Sequence, residues 1–84
     1  MKRFLFYSQR TAQYNAEVLP AHFEYLAKLR AAGKIELSGG FADLSGGAVI
    51  IRAESLEEAQ AIAANDPISK QGTHLLKVYE WKAE

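Results

Sequence analysis

The chain has no cysteine, which excludes disulfides and thiolate metal centres. Its 84 residues therefore lack the staples that often support small domains. A chain of this size buries only about 60–65% of the surface its unfolded form exposes, so self-association is the expected support. Proline is scarce, at Pro20 and Pro67 alone, and no low-complexity tract, internal repeat or linker divides the chain. One domain over residues 1–84 follows. Charge of one sign is lacking as well. Ten basic and ten acidic residues cancel and are interspersed, so no basic stripe exists to follow a nucleic-acid backbone. Long hydrophobic runs are missing: Phe4-Leu5-Phe6-Tyr7 is too short for a signal-peptide core or a membrane span. The expectation is a cytoplasmic protein with no membrane and no nucleic-acid partner. His22 and His74 lie far apart without tight ligand spacing, so neither a structural zinc nor any other cofactor is expected.

What is present is clear hydrophobic periodicity. Arg3–Ser8 is an aromatic-rich strand, with Phe4 and Phe6 on one side and Leu5 and Tyr7 on the other. Residues 9–18 are polar and form a connection with room for a short helical turn. A helix runs from Pro20 to Ala32, opened by proline at its first position and stopped by Gly33. Ile35–Phe41 alternates as a strand, Ala42–Gly47 carries turn residues, and Ala48–Ala53 is a second strand of the same hairpin. Ser55-Leu56-Glu57-Glu58 is a capping box that starts a second helix, which ends near Asn65 ahead of Asp66-Pro67. A loop over 68–73 leads to a last strand, His74–Trp81. The order predicts an α+β, ferredoxin-like βαββαβ domain, with a four-stranded antiparallel sheet and two helices on one face. Leu75, Tyr79 and Trp81 share one side of the last strand, and Leu76 and Val78 the other. Two helices cover one sheet face only, and a solvated face should be polar. An apolar second face calls for a partner, so a homodimer through the sheet is expected.

Candidate chemistry centres on His22, which shares a helical stripe with Leu26 and Leu29 and so points inward. The helix N-terminus disfavours a proton on an imidazole beside it, and a neutral, enclosed imidazole suits a general base. The same position also suits a satisfied core histidine. Two acids could orient the ring, Asp43 after the second strand and Asp66 at the end of the second helix. Their competing explanations are a turn-initiating side chain and local hydrogen bonding before Pro67. Ser38, Tyr7 and Tyr25 are candidate substrate-binding residues, and Arg3 or Arg52 could meet a carboxylate. RNA-binding modules of this topology need a ring-bearing third strand, and Ala48-Val49-Ile50-Ile51-Arg52 has no ring.

Pro20-Ala21-His22-Phe23-Glu24-Tyr25-Leu26, Ala32-Gly33-Lys34, Ser38-Gly39-Gly40-Phe41-Ala42-Asp43, Ala53-Glu54-Ser55-Leu56-Glu57-Glu58-Ala59 and Asn65-Asp66-Pro67, in that order, resemble the YciI-like proteins. The resemblance covers nearly the whole chain. It implies a dimeric α+β barrel and a histidine–aspartate site in a pocket near the dimer interface. The histidine carries over to His22, and Asp43 and Asp66 both match positions where such proteins have aspartate. Where those proteins commonly have a Gly-Pro step after the second strand, this chain has Gly39-Gly40, a looser turn. A few relatives act on chlorinated aromatic breakdown products. Two functions are therefore expected to compete. One is a cofactor-free enzyme moving a proton on a small organic acid or aromatic breakdown product, of lyase, isomerase or dehalogenase type. The other is a non-catalytic dimeric module that binds a small molecule or a partner protein.

Overall fold

The computed structural model describes all 84 residues, Met1–Glu84. Four strands, β1 (Lys2–Arg10), β2 (Ile35–Gly40), β3 (Gly46–Ala53) and β4 (His74–Glu80), form one antiparallel sheet in the order β2-β3-β1-β4. Helices α1 (Leu19–Ala31) and α2 (Leu56–Asn65) follow β1 and β3. This is the expected ferredoxin-like arrangement. Two local differences matter for the site. β1 continues through Gln9 and Arg10, because both pair with β4, at Leu75 and His74. The expected loop after Pro67 contains a short helix α3 (Pro67–Lys70), because Pro67 at its start supplies a helical φ and Asp66 caps it, accepting from the Ile68 N–H at 3.1 Å.

Each main helix has a physical start and stop. Pro20 lies in the first turn of α1, and Gly33 beyond its end takes φ +76°, a conformation costly for any residue with a Cβ. Ser55 caps α2 by accepting from the Glu58 N–H, while Glu58 reaches back to the Glu54 N–H and pairs with Lys34. Phe4, Phe6, Ile51, Ala53, Ala59 and Ala63 form the buried core. The alanines of α2 let that helix settle closely onto β1, β3 and β4. By contrast, α1 packs chiefly on the edge strand β2 and on α3. The space between α1 and the central strands forms a partly enclosed cavity.

The opposite sheet face carries no helix. A row of Leu37, Ile50, Leu5 and Tyr79 crosses all four strands in register. Leu37 is 68% exposed, Leu75 53% and Tyr79 51%. At one end of this face Glu36 binds both Arg3 and Arg52, which holds its carboxyl below the usual glutamate range, the Arg52 hydrogen bond being the larger cause.

Candidate active site

His22 enters the cavity from the first turn of α1, and Asp66 enters from the α2–α3 junction. The two meet there: His22 Nδ1 lies 2.8 Å from Asp66 Oδ1 and 3.0 Å from Oδ2. The sequence separation is 44 residues, yet the local reason for each position is simple. Pro20 starts α1 at the sheet's end, and Asp66 is at once the last cap of α2 and the first cap of α3. Its extended backbone, enforced by the following Pro67, turns the carboxylate towards α1. Asp66 is 5% exposed and receives hydrogen bonds from His22 and from the Ile68 N–H. A carboxylate only accepts, so Nδ1 carries the imidazole proton in the neutral ring. Nε2 is then a lone-pair nitrogen, and no protein group bonds to it.

The cavity has a volume of about 390 Å³, within the range of small-molecule sites. Its wall draws on both layers of the fold. Phe6, Ser8, Val49 and Ile51 come from the sheet, His22, Leu26 and Leu29 from α1, and Asp66, Ile68 and His74 from the far end. Tyr25 lines it as well and donates its hydroxyl proton to the Ile62 carbonyl at 2.8 Å. Burial, followed by the Asp66 charge, raises the Tyr25 phenol, so it stays protonated. Ser38 is on the wall and accepts from Arg30 at 2.7 Å.

Two expected site residues lie elsewhere. Asp43 is in the β2–β3 turn, where Oδ1 accepts from the Ser45 N–H and hydroxyl. Those bonds hold its carboxyl low and close a turn in which Leu44 adopts φ +65°. Gly39-Gly40 is not the looser turn expected: both residues pair with β3, at Ala48 and Gly47, and the turn that follows carries Asp43 outside the cavity wall. Tyr7 is on the helix-free face beside Phe41, its hydroxyl accepting from Gln9. Strand alternation explains it: Phe4, Phe6 and Ser8 face the helices, so Tyr7 cannot. Arg3 and Arg52 are likewise committed to Glu36 rather than to a ligand.

Four polar wall residues were not anticipated as site residues: Ser8, Arg10, Arg30 and His74. Alternation was the available signal, since His74 shares parity with Leu76 and Val78, and Ser8 and Arg10 share parity with Phe4 and Phe6. Arg10 lies 4.0 Å over the Tyr14 ring. Neither Arg10 nor Arg30 pairs with a carboxylate, whereas Arg3 and Arg52 do. No group of three or more histidine, cysteine or acidic side chains converges closely enough to hold a metal ion. No helix is long and apolar enough to cross a membrane.

The fold and cavity define a ferredoxin-like α+β domain with a partly buried histidine–aspartate pair. Residues 2–82 match the family model described as the YCII-related domain, and the chain belongs to that family, as the YciI-like resemblance implied. The uncharacterized protein YjpA of Bacillus subtilis (strain 168) is 39% identical over 82 residues, covering 98% of this chain and 96% of YjpA. Among solved structures, 5-chloro-2-hydroxyhydroquinone dehydrochlorinase (TftG) from Burkholderia phenoliruptrix AC1100, in complex with 2,5-dihydroxybenzoquinone, is similar with a TM-score of 0.79 and 29% identity. That match covers 98% of this chain and 95% of TftG.

Proposed function

We propose that this protein is a small cofactor-independent enzyme in which His22 takes a proton from a compact hydroxylated or enolisable substrate. One observation carries the reading: His22 lines a cavity of about 390 Å³ with no protein group on its Nε2, while its Nδ1 is held by a nearly buried carboxylate. Asp66 fixes the tautomer and stabilises the imidazolium that forms, which is the role of the acid in a histidine–aspartate pair. Arg10 and Arg30, without carboxylate partners, favour a substrate that is anionic or becomes so as the proton leaves. The resemblance to TftG, a dehydrochlorinase by name, supports elimination as the reaction type. Net loss of HCl from a chlorinated hydroquinone needs no redox partner. One hydroxyl proton moves to the chlorine-bearing ring carbon to give a keto tautomer, and a second goes to the base. Chloride departs from that now tetrahedral carbon with the bonding pair, leaving a quinone.

The helix-free face supports a second element of the proposal, a homodimer through Leu5, Leu37, Ile50 and Tyr79. An apolar row of this kind on one sheet face is the usual mark of a protein contact.

A panel of chlorinated and unchlorinated di- and trihydroxybenzenes, followed by chloride release and ultraviolet absorbance, tests the reaction. His22→Asn should lower the rate on any substrate found by about 10²–10⁴-fold, the contribution of a positioned base, with the far-ultraviolet dichroism unchanged. Unaltered turnover in that variant would reject the base role. Saturable binding across the panel with no turnover would favour a non-catalytic binding module.

A further inference from the structure

The cavity holds a second imidazole that the proton transfer does not use. His74 is the first residue of β4, is 8% exposed, and lines the same cavity as His22 and Asp66. Its Nδ1 is 3.0 Å from the Thr73 hydroxyl, and that hydroxyl donates its single proton to the Ile68 carbonyl. The Thr73 oxygen is therefore left as the acceptor, so His74 Nδ1 carries the ring proton and Nε2 carries a lone pair. No protein group bonds to His74 Nε2, and it is not sealed away, since no fully buried side-chain nitrogen or oxygen lacks a partner. The Tyr14 ring meets His74 edge-on with centroids 5.6 Å apart, which leaves the imidazole little freedom to turn.

Both histidines thus line the cavity with an Nε2 that no protein group bonds, and with different support behind the ring. Behind His22 is a carboxylate that can stabilise a positive ring. Behind His74 is a neutral hydroxyl, and burial, with the nearby His22 and Arg10, pushes its basicity down, the Asp66 charge opposing this only in part. His74 stays neutral and keeps its lone pair while His22 cycles.

We propose that His74 Nε2 accepts a hydrogen bond from a second hydroxyl of the substrate, so that the site selects molecules carrying two hydroxyl groups, one given up to His22 and one held by His74. This rests on the proton-transfer reading of His22 and deepens it by naming the substrate class and a residue that chooses it. A site built to accept from a hydroxyl discriminates against an analogue lacking it, because a desolvated acceptor is left unpaired.

Two measurements on the unmodified protein test the idea. Long-range ¹H–¹⁵N spectra should show His74 as the Nδ1–H tautomer; an Nε2–H tautomer overturns the proposal. Titration with phenol, catechol, resorcinol and hydroquinone should give at least one diol that binds roughly three- to tenfold more tightly than phenol, the range expected for one added hydrogen bond. The same diol should move the His74 Nε2 resonance, and phenol should not. In His74→Phe the advantage of the diol should vanish while phenol binding persists. Diols that bind no better than phenol, or an advantage that survives His74→Phe, overturn this proposal and leave the His22 reading standing. If none of the four probes moves His22 Nε2, both fall. Should His74→Phe not fold, the tautomer and the diol-dependent shift in the unmodified protein decide the question.

Discussion

Asp66 has two duties that different substitutions separate. Its carboxylate orients and stabilises His22, and its Oδ1 also caps α3 through the Ile68 N–H. In Asp66→Asn a side-chain oxygen remains to cap α3, but no charge remains to support an imidazolium. Stability should change by less than about 1 kcal/mol, while turnover should fall by about 10²-fold. Asp66→Ala removes the cap as well and should cost about 1 kcal/mol more in urea denaturation. His74 makes a prediction of opposite character, about pH. Its basicity is depressed from the ordinary 6.5 in the folded chain. Below 6.5 the unfolded chain takes up a proton that the folded chain resists, so stability is full above that value and falls as pH drops through it. Glu36 and Glu58, both held below their ordinary 4.5 by basic partners, add a second loss only as pH falls beneath 4.5. Urea midpoints measured from about pH 8 downward should fall in these two stages, and His74→Phe should flatten the first.

Among the elements, the approach of β3 to β1 leaves least room for change. A Cβ on Gly46 would lie 1.8 Å from the Ser8 carbonyl oxygen, and one on Gly47 would lie 2.5 Å from the Gly39 oxygen. Ser8 also spans the two strands, its hydroxyl accepting from the Gly47 N–H and donating to the Gly47 carbonyl. Glycine here lets three backbones converge at the edge of the cavity. Gly46→Ala should cost at least about 2 kcal/mol by denaturant unfolding, in the range of mutations that force backbone to move. Gly33 is different: nothing lies within 4 Å of its Cβ position, so its substitution meets only the strain of a positive φ. Gly33→Ala should therefore cost about 1 kcal/mol. Periodicity identified the main elements well, since Pro20, Gly33, Ser55 and Asp66-Pro67 all act locally. It missed the last two residues of β1 and the turn of α3, because β4 supplies the pairing for the one and the Asp66 cap creates the other.

At the scale of the whole molecule, the two sides of the sheet divide the work. One side, under the helices, holds the core and the cavity; the other presents the row of Leu37, Ile50, Leu5 and Tyr79. If that row pairs with a second copy, Leu37→Lys together with Tyr79→Lys should convert a dimer to a monomer in sedimentation velocity. His22 and Asp66 should stay in contact, because both belong to one chain and meet between α1 and the α2–α3 junction. The chain order of strands and helices, the inward stripe of His22, Leu26 and Leu29, and the two-faced apolar sheet all follow from the sequence, because each depends on neighbours a few residues away. Which aspartate meets His22 does not. Asp43 and Asp66 both have the right chemistry, and only the packing of α1 against the α2–α3 junction brings one of them within 2.8 Å. The same holds for His74, which lies far from His22 in sequence but on the same side of one cavity wall. Local periodicity acts over a few residues, whereas a site is assembled by contacts between elements, and these exist only once the chain has closed.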